Sequence, residues 1–198
     1  MKGRQICPAE AVRLRGSHNL ANCLAALAAS EAAGASLSRA GETLSRFEGL
    51  EHRLEVATVV GGVTYVNDSQ ATTPDAAIVG LEAFAEHVIL IAGGRPKVHD
   101  FASLAEVIAK RGVDLVVMGE AADEIAASAR VAAVQTIERA ADLNEAIALA
   151  RRRARPGDVV LLSPACASFD MFRDMAERGR TFKEIARGMA RQERTKSP

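Results

Sequence analysis

The chain has 198 residues, and 48% of them are hydrophobic, which is sufficient for a packed globular core. Its 25 basic residues balance 25 acidic ones, which argues against a general affinity for nucleic acid or anionic membranes, so an anionic ligand must be held locally. The sequence shows neither a signal peptide at its start nor an apolar run of membrane-spanning length, and we expect a cytoplasmic location.

The first predicted elements are helical. Residues 19–33, "NLANCLAALAASEAA", are rich in alanine and predict a helix that ends at Gly34. A shorter helix, "SRAGETLSRF", follows and ends near Gly49. The three cysteines, Cys7, Cys23 and Cys166, are widely spaced and form no CxxC pattern, which predicts reduced thiols and no zinc site.

The composition changes after residue 50. "LEVATVV", a Gly-Gly pair and "VTYVND" together predict a hairpin of two strands. Helical stretches then alternate with short apolar strands, which predicts a mostly parallel α/β sheet with helices on both faces. The alternating stretches run in this order: "PDAAIVGLEAF", "VILIAGG", "FASLAEVIAKRG", "DLVVMG", "EAADEIAASA", "AAVQTI", "ADLNEAIALARRRA", "DVVLLS" and a basic amphipathic tail from Met171. We place a domain boundary between Phe47 and Glu51.

Four loops at the ends of predicted strands carry glycine, small polar residues or charge. In a parallel sheet, ligands bind at the carboxyl ends of the strands, so these loops are candidates for a binding site. They read "NDSQATTPDA", "GGRPKVHDF", "MGEAAD" and "SPACASFD".

Each of these features also has a purely structural interpretation. The glycine pair at 93–94 is consistent with a simple turn, and Thr72 or Thr73 is suited to cap a helix that begins at Pro74. His18 and Asn19 are similarly placed to cap the first helix. Cys166 is most simply a packing residue, since no base lies near it in the sequence.

Taken together, the motifs indicate a family. The ordered series "GSHNLAN", "GLEHRLE", "VNDSQATTPDA", "IAGGRPKVHDF" and "LLSPACASFDMFRDMAERGRTF" resembles the C-terminal part of the Mur ligases, in the form that adds D-glutamate. The resemblance implies that residues 1–48 are the incomplete helical end of a central ATPase domain. Residues 49–198 would be the Rossmann-like, amino-acid-binding domain.

The resemblance also implies a reaction of peptidoglycan synthesis. ATP would phosphorylate the carboxylate of UDP-N-acetylmuramoyl-L-alanine, and the amine of D-glutamate would attack the acyl phosphate to form an amide. The phosphate loop GxxxxGK[ST] does not occur in this sequence, and the magnesium ligands and UDP-sugar site are expected upstream. The chain alone is therefore expected to be inactive.

Five residues match family positions that contact ATP. Asn19 and Asn22, three residues apart on one helical face, match residues near adenine, and His18 flanks them. Arg53 matches an arginine at the nucleotide phosphates, and Asp68 matches a carboxylate that accepts hydrogen bonds from the ribose.

The resemblance assigns the D-glutamate site to three loops. Thr72 and Lys97 match residues that hold the α-carboxylate, and Ser168 matches the residue that binds the side-chain carboxylate. Phe169 and Met175 belong to the same pocket, and Met175 stands where the family commonly has phenylalanine.

A second departure is a missing charge. Gln70 occupies a position where the family usually has lysine, and Arg95 is a candidate to restore that charge. Two alternatives stay open: a stand-alone nucleotide- or amino-acid-binding module with the same fold, and a ligase like folylpolyglutamate synthase, which "SPACAS" disfavours.

Overall fold

The computed structural model describes residues 5–196, apart from the side chains of Arg194 and Lys196. The chain divides into two compact units, Met1–Leu50 and Glu51–Pro198, and each is described by itself. Among residues 5–196, every helix is too short or too polar to cross a lipid bilayer.

The first unit contains a short 3-10 helix, Ala9–Ala11, and two α-helices, α1 (Ser17–Ala32) and α2 (Ala40–Arg46). Both predicted helices are therefore present. Helix α1 begins earlier than expected, after Gly16 at a φ of 89°, so His18 and Asn19 lie inside its first turn. Because no side chain caps this helix, the interpretation of these two residues as a cap is wrong.

The described part of the second unit, residues 51–196, is an α/β sandwich of six strands and five helices. The strands are β1 (Glu55–Val60), β2 (Val63–Asn67), β3 (Val88–Gly93), β4 (Asp114–Met118), β5 (Ile137–Arg139) and β6 (Val159–Leu162). The helices are α3 (Pro74–Glu82), α4 (Ala102–Arg111), α5 (Ala122–Val131), α6 (Leu143–Arg153) and α7 (Met175–Lys196).

The strands form one sheet in the order β1-β2-β6-β3-β4-β5. Strand β1 pairs with β2 in an antiparallel hairpin, and the other pairs are parallel, which confirms the predicted fold class. Gly61 and Gly62 form the hairpin turn with φ values of 57° and 77°, the left-handed conformation that such turns require. Strand β5 lies later than "AAVQTI" predicts, because α5 extends to Val131 and the following residues turn the chain.

Helices cover both faces of the sheet. The core on one face joins the strands to α3, α4 and α5, with Leu81, Leu104 and Ile125 among its buried residues. The core on the other face joins them to α6 and α7, where the rings of Tyr65 and Phe182 lie 6.4 Å apart. The unbroken apolar strands β3 and β6 are fully buried, as expected for strands covered on both sides.

The loops that follow β2, β6, β3 and β4 meet at one end of the sheet, here called the carboxyl edge. Backbone hydrogen bonds connect them: Ala165 donates to Ala71, and Arg95 and Ala167 each donate to the other at 2.9 Å. Gly94 allows this close packing, because a Cβ atom there would lie 2.2 Å from the carbonyl oxygen of Ala167. The glycine pair therefore has a structural role beyond that of a simple turn.

Candidate functional site

Two of the residues predicted to hold an amino-acid carboxylate are in direct contact. Lys97, in the loop after β3, donates a hydrogen bond from Nζ to Oγ1 of Thr72, in the loop after β2, at 2.7 Å. Lys97 is exposed and Thr72 is half-buried, so a ligand from solvent can reach both. A lysine ammonium has three donors and the threonine hydroxyl keeps its own proton, so the pair can bind an anion.

The neighbouring threonine has a different role. Thr73 is the N-cap of α3, and its side chain accepts a hydrogen bond from the backbone N–H of Ala76. Pro74 occupies the first turn, as the sequence predicts. Because Thr73 caps the helix, Thr72 is available for Lys97 and for a ligand.

Ser168 presents a polar atom without a partner. Its side chain is only 2% exposed, and its Oγ has no hydrogen bond in the part of the chain that the structure describes. A buried hydroxyl without a partner is costly, and such groups are rare in folded proteins. The preceding residue, Ala167, is paired with Arg95, two residues before Lys97, so the Ser168 turn adjoins the Lys97 loop.

Phe169 and Met175 have unequal surroundings. The ring of Phe169 is 60% exposed, so it can contact a ligand only at the surface. Met175 is half-buried at the start of α7, and its carbonyl oxygen accepts a 2.7 Å hydrogen bond from Oγ of Ser69. Both assignments to the pocket stay predictions.

Arg178 lies beneath the loops that carry Thr72 and Ser168. It is fully buried, and its guanidinium donates to Oγ and the carbonyl oxygen of Ser69 and to the carbonyl oxygens of Cys166 and Ala167, at 2.9 to 3.3 Å. Burial lowers the pKa of Arg178 to about 10, so the group stays protonated at neutral pH. Sequence reasoning missed this residue, although the "RG" of "AERGRTF" was visible.

Asp68, the predicted ribose ligand, is only 5% exposed. One carboxylate oxygen accepts from the backbone N–H of Leu54 at 3.2 Å, and the other accepts from Oγ of Ser163 at 2.8 Å. Burial raises the pKa of Asp68 to about 6, against the effect of these hydrogen bonds and of the Arg53 charge. Gly80 makes space for the carboxylate, since a Cβ atom there would lie 2.8 Å from it.

The residues beside Arg53, which is itself exposed, form a buried hydrogen-bond network. The amide of Asn67 donates to Nδ1 of His52 at 2.9 Å and to Glu55 at 3.1 Å, and its oxygen accepts from the backbone of Ser69. Since Nδ1 of His52 is the acceptor here, its ring proton belongs on Nε2. Burial lowers the pKa of His52, which favours this neutral form.

Lys183 neutralises the acidic side of this network. Its Nζ donates to Glu51 at 2.6 Å and to Glu55 at 2.9 Å. Glu51, His52 and Glu55 offer three potential metal ligands within 4.8 Å of one another, but the lysine already supplies a positive charge there. The arrangement is that of a partly exposed ion-pair cluster.

The charge of Arg95 is also paired. Its guanidinium binds both carboxylate oxygens of Glu120, at 2.9 and 3.1 Å. Gln70 is exposed, and its backbone N–H donates to the carbonyl oxygen of His52. The compensation of Gln70 by Arg95 stays a prediction, and the carboxylate of Glu120 reduces the charge that Arg95 can offer.

The predicted adenine residues lie in the first unit. Asn19 is buried and its amide donates to the carbonyl oxygen of Arg15 at 2.8 Å, while the amide of Asn22 donates to Oδ1 of Asn19 at 3.4 Å. The two side chains therefore share a face of α1, as the sequence predicts. His18 lies on the first turn of the same helix.

The second unit is thus an α/β domain with a Rossmann-like sheet, whose carboxyl edge carries an exposed lysine, a half-buried threonine and a buried, unpartnered serine hydroxyl. Solved structures share this fold: a UDP-N-acetylmuramate-alanine ligase from Thermotoga maritima matches with a TM-score of 0.67 and 21% identity, over 89% of this chain and 39% of that one. A MurF ligase from the same organism, solved with ADP, matches with a TM-score of 0.62 and 18% identity, over the same shares of the two chains.

Sequence comparison identifies the family. The profile described as "Mur ligase, glutamate ligase domain" matches residues 52–166, so the chain belongs to the Mur ligase family. It is 49% identical over 180 residues to the UDP-N-acetylmuramoylalanine--D-glutamate ligase of Pelotomaculum thermopropionicum, across 91% of this chain and 40% of that protein. The enzyme of the same name from Symbiobacterium thermophilum is 46% identical, across 90% of this chain and 40% of that protein. The chain therefore spans about two fifths of the length of these relatives.

Proposed function

We propose that this chain is the part of an ATP-dependent ligase of peptidoglycan synthesis that binds D-glutamate at the carboxyl edge of its sheet. The observation that carries the proposal is the contact between Lys97 and Thr72, together with the unpartnered Oγ of Ser168 on the adjoining loop. The relatives named above support the ligase, and their names lend no support to a folylpolyglutamate-synthase-like enzyme or a stand-alone binding module.

The three side chains suit a small dicarboxylate. Lys97 provides a point charge and Thr72 a neutral donor, so together they can hold one carboxylate by charge-assisted hydrogen bonds. Ser168 can donate its hydroxyl proton to the second carboxylate, which would satisfy the orphaned Oγ. Small neighbours, Ala165 and Ala167, let a ligand approach the backbone of this turn.

The nucleotide would bind to other residues. We assign Arg53 to the phosphates of ATP, Asp68 to the ribose, and Asn19, Asn22 and His18 to adenine. Asp68 is poorly exposed, so the ribose would have to reach it from the side of Arg53. When bound, ATP would convert the carboxylate of UDP-N-acetylmuramoyl-L-alanine into an acyl phosphate, which the D-glutamate amine attacks.

Three binding sites that this reaction needs are not assigned to residues of this chain. The chain matches about two fifths of the length of its relatives, and we assign the magnesium ligands, the phosphate loop and the UDP-sugar site to the rest of such proteins. A cytoplasmic location and the inactivity of the chain by itself belong to the same proposal. The role of the present residues is to hold and orient the amino acid.

A D-glutamate titration followed by NMR tests the proposal. We expect saturable shifts at Thr72, Lys97 and Ser168 with a Kd of roughly 1 mM, since one cation and a few neutral donors bind weakly in water. Lys97→Ala should weaken binding about tenfold or more, because a hydrogen bond to a charged group contributes roughly 1.5 to 3 kcal/mol.

Lys110→Ala is the matched control, since this lysine is exposed near the end of α4, and it should leave the titration unchanged. L-glutamate should cause smaller shifts. Shifts confined to residues outside the three loops, or an unaltered titration in Lys97→Ala, would show that the amino acid binds elsewhere.

A further inference from the structure

Arg178 differs from the other buried cation of α7 in its partners. Lys183 contacts two carboxylates, whereas all four hydrogen bonds of the Arg178 guanidinium go to neutral oxygens. Among the ion pairs formed by residues 5–196, none includes Arg178. Its guanidinium therefore has no carboxylate in direct contact, although the side chain is fully buried. The Asp170 carboxylate lies close enough to raise the pKa of Arg178 against the effect of burial.

The partners of Arg178 lie on two different loops of the carboxyl edge. Nε and one terminal nitrogen bind Ser69, three residues before Thr72. The two terminal nitrogens also bind the carbonyl oxygens of Cys166 and Ala167, directly before Ser168. The planar guanidinium thus connects the Thr72 loop to the Ser168 turn with a fixed geometry.

Ser69 also binds the first residue of α7, the helix that carries Arg178. Its hydroxyl accepts from Nε of Arg178 at 2.9 Å and donates to the carbonyl oxygen of Met175 at 2.7 Å, so both of its roles are used. On the other side, a Cβ atom at Gly94 would lie 3.2 Å from a terminal nitrogen of Arg178. The guanidinium is therefore enclosed by the β2, β3 and β6 loops.

A buried charge that is bonded only to neutral groups is expensive, and an apolar residue of the same size would be cheaper if the role were packing. The orphaned Oγ of Ser168 adds a second observation, because Ser168 directly follows the two residues whose carbonyl groups Arg178 holds. Oδ1 of Asp170, two residues further on, is also buried without a partner among the described residues. A dianionic ligand at Ser168 and Thr72 would place negative charge close to this cation.

We propose that Arg178 is a positioning residue for the amino-acid site, which fixes the Ser168 turn relative to Thr72 and favours a dianionic ligand through its buried charge. The inference rests on the proposed function, because the ligand is taken to be D-glutamate. Arg178 acts through the two loops and does not contact the ligand itself.

Arg111 offers a matched control. This arginine at the end of α4 also donates from both terminal nitrogens to backbone carbonyl oxygens, those of Leu81 and Phe84. It precedes β4, so it lies at the opposite end of the sheet from the carboxyl edge. Arg111→Met removes two hydrogen bonds of the same kind, against four in Arg178→Met, without touching the proposed site.

The experiment compares D-glutamate with D-glutamine, which lacks the second negative charge, by NMR titration of the full chain. In Arg178→Met we expect the Kd for D-glutamate to rise about tenfold and the preference for D-glutamate over D-glutamine to fall. Arg178→Lys keeps the charge but loses the planar guanidinium. In this variant the Kd for D-glutamate should rise less, and the preference for D-glutamate over D-glutamine should persist. Arg111→Met should match the wild type in both measurements.

The outcomes separate the two proposals. If the wild-type chain shows no D-glutamate shifts at the three loops, the proposed function fails and this inference fails with it. If the wild type binds but folded Arg178→Met binds equally well, or loses both ligands in equal measure, only the role of Arg178 is overturned. Should Arg178→Met not fold, an Arg178→Lys variant with unaltered D-glutamate affinity would overturn it.

Discussion

The first turns of α7 bring two buried cations into very different surroundings. Lys183 lies against the carboxylates of Glu51 and Glu55, which belong to the segment leading into β1 and to β1 itself. Arg178, five residues earlier, is surrounded by carbonyl oxygens and a hydroxyl of the β2 and β6 loops. The Lys183 region is thus neutralised by direct ion pairs, whereas the Arg178 guanidinium contacts only neutral oxygens and the Asp170 carboxylate acts on it from a greater distance.

Gly179, the residue after Arg178, tests whether both regions depend on the close approach of α7. A Cβ atom at this position would lie 2.2 Å from Nδ1 of His52 and 3.0 Å from the amide nitrogen of Asn67. We expect Gly179→Ala to lower the free energy of unfolding by about 3 kcal/mol, because it forces the helix away from a packed network.

The control for Gly179 lies on the same helix. Gly188→Ala would place its Cβ atom 3.9 Å from the nearest neighbour, a flexible guanidinium nitrogen of Arg191. In urea unfolding, Gly188→Ala should raise the free energy of unfolding by up to about 1 kcal/mol, because alanine has a higher helix propensity than glycine. Equal effects of the two substitutions would mean that the contact between Gly179 and His52 does not constrain the helix.

Lys183→Met tests the neutralised region. The substitution leaves Glu55 without its cation, and we expect it to lower the free energy of unfolding by about 2 kcal/mol, less than for a fully buried pair because Glu51 is exposed. Burial would raise the pKa of Glu55, but hydrogen bonds from the His52 backbone and from Lys183 lower it. D-glutamate affinity should stay unchanged, in contrast to Arg178→Met, and a similar loss of affinity in both variants would remove the distinction between the two regions.

Asp68 is the anionic counterpart of Arg178, a buried charge held by an N–H and a hydroxyl. Its pKa of about 6 in the folded chain exceeds the ordinary value of 3.8, so the folded state binds the proton more tightly. Protonation of Asp68 therefore stabilises the folded state. This contribution to the free energy of unfolding is fully present below the ordinary pKa and is lost as the pH rises through about 6. When the pH rises from about 5 to about 7.5, the free energy of unfolding of the wild type should therefore fall by about 1 kcal/mol more than that of Asp68→Asn.

Urea unfolding of the two proteins at both pH values checks this prediction. His52, whose pKa is lowered, acts in the opposite direction, with stability lost as the pH falls below its ordinary value. Because His52 is present in both proteins, its effect cancels in the comparison. Identical pH profiles would indicate that the carboxylate of Asp68 is better solvated than its burial suggests.

The sequence predicts the sheet well because its signals are local. The glycine pair at 61–62 and the apolar runs of β3 and β6 each indicate one structure, and the observed elements follow them. Strand β5 is misplaced because its short, half-exposed segment has no apolar run, and the preceding alanines are equally compatible with a helix.

The site is only partly accessible to the same reasoning. Thr72 and Lys97 lie in loops that the strand pattern places at one edge, and they do meet. Arg178 was missed because a basic, amphipathic tail suggests an exposed face, and nothing local shows which of its arginines turns inward. The available signal was Gly179, in the second turn of a long helix, because glycine is unfavourable inside a helix unless another group must come close.

The strand order also has a consequence for how the chain acquires its structure. Strand β6 is the last strand in the sequence, yet it lies between β2 and β3 near the middle of the sheet. During synthesis the hairpin and the β3–β4 pair can form early, but their facing edges stay open until residues 159–162 arrive. Those edges are apolar and able to pair with other strands, so the interval before β6 inserts is when this chain is most prone to aggregate. We therefore expect the sheet to be completed late, and the Ser168 turn to be fixed only after α7 brings Arg178 against it.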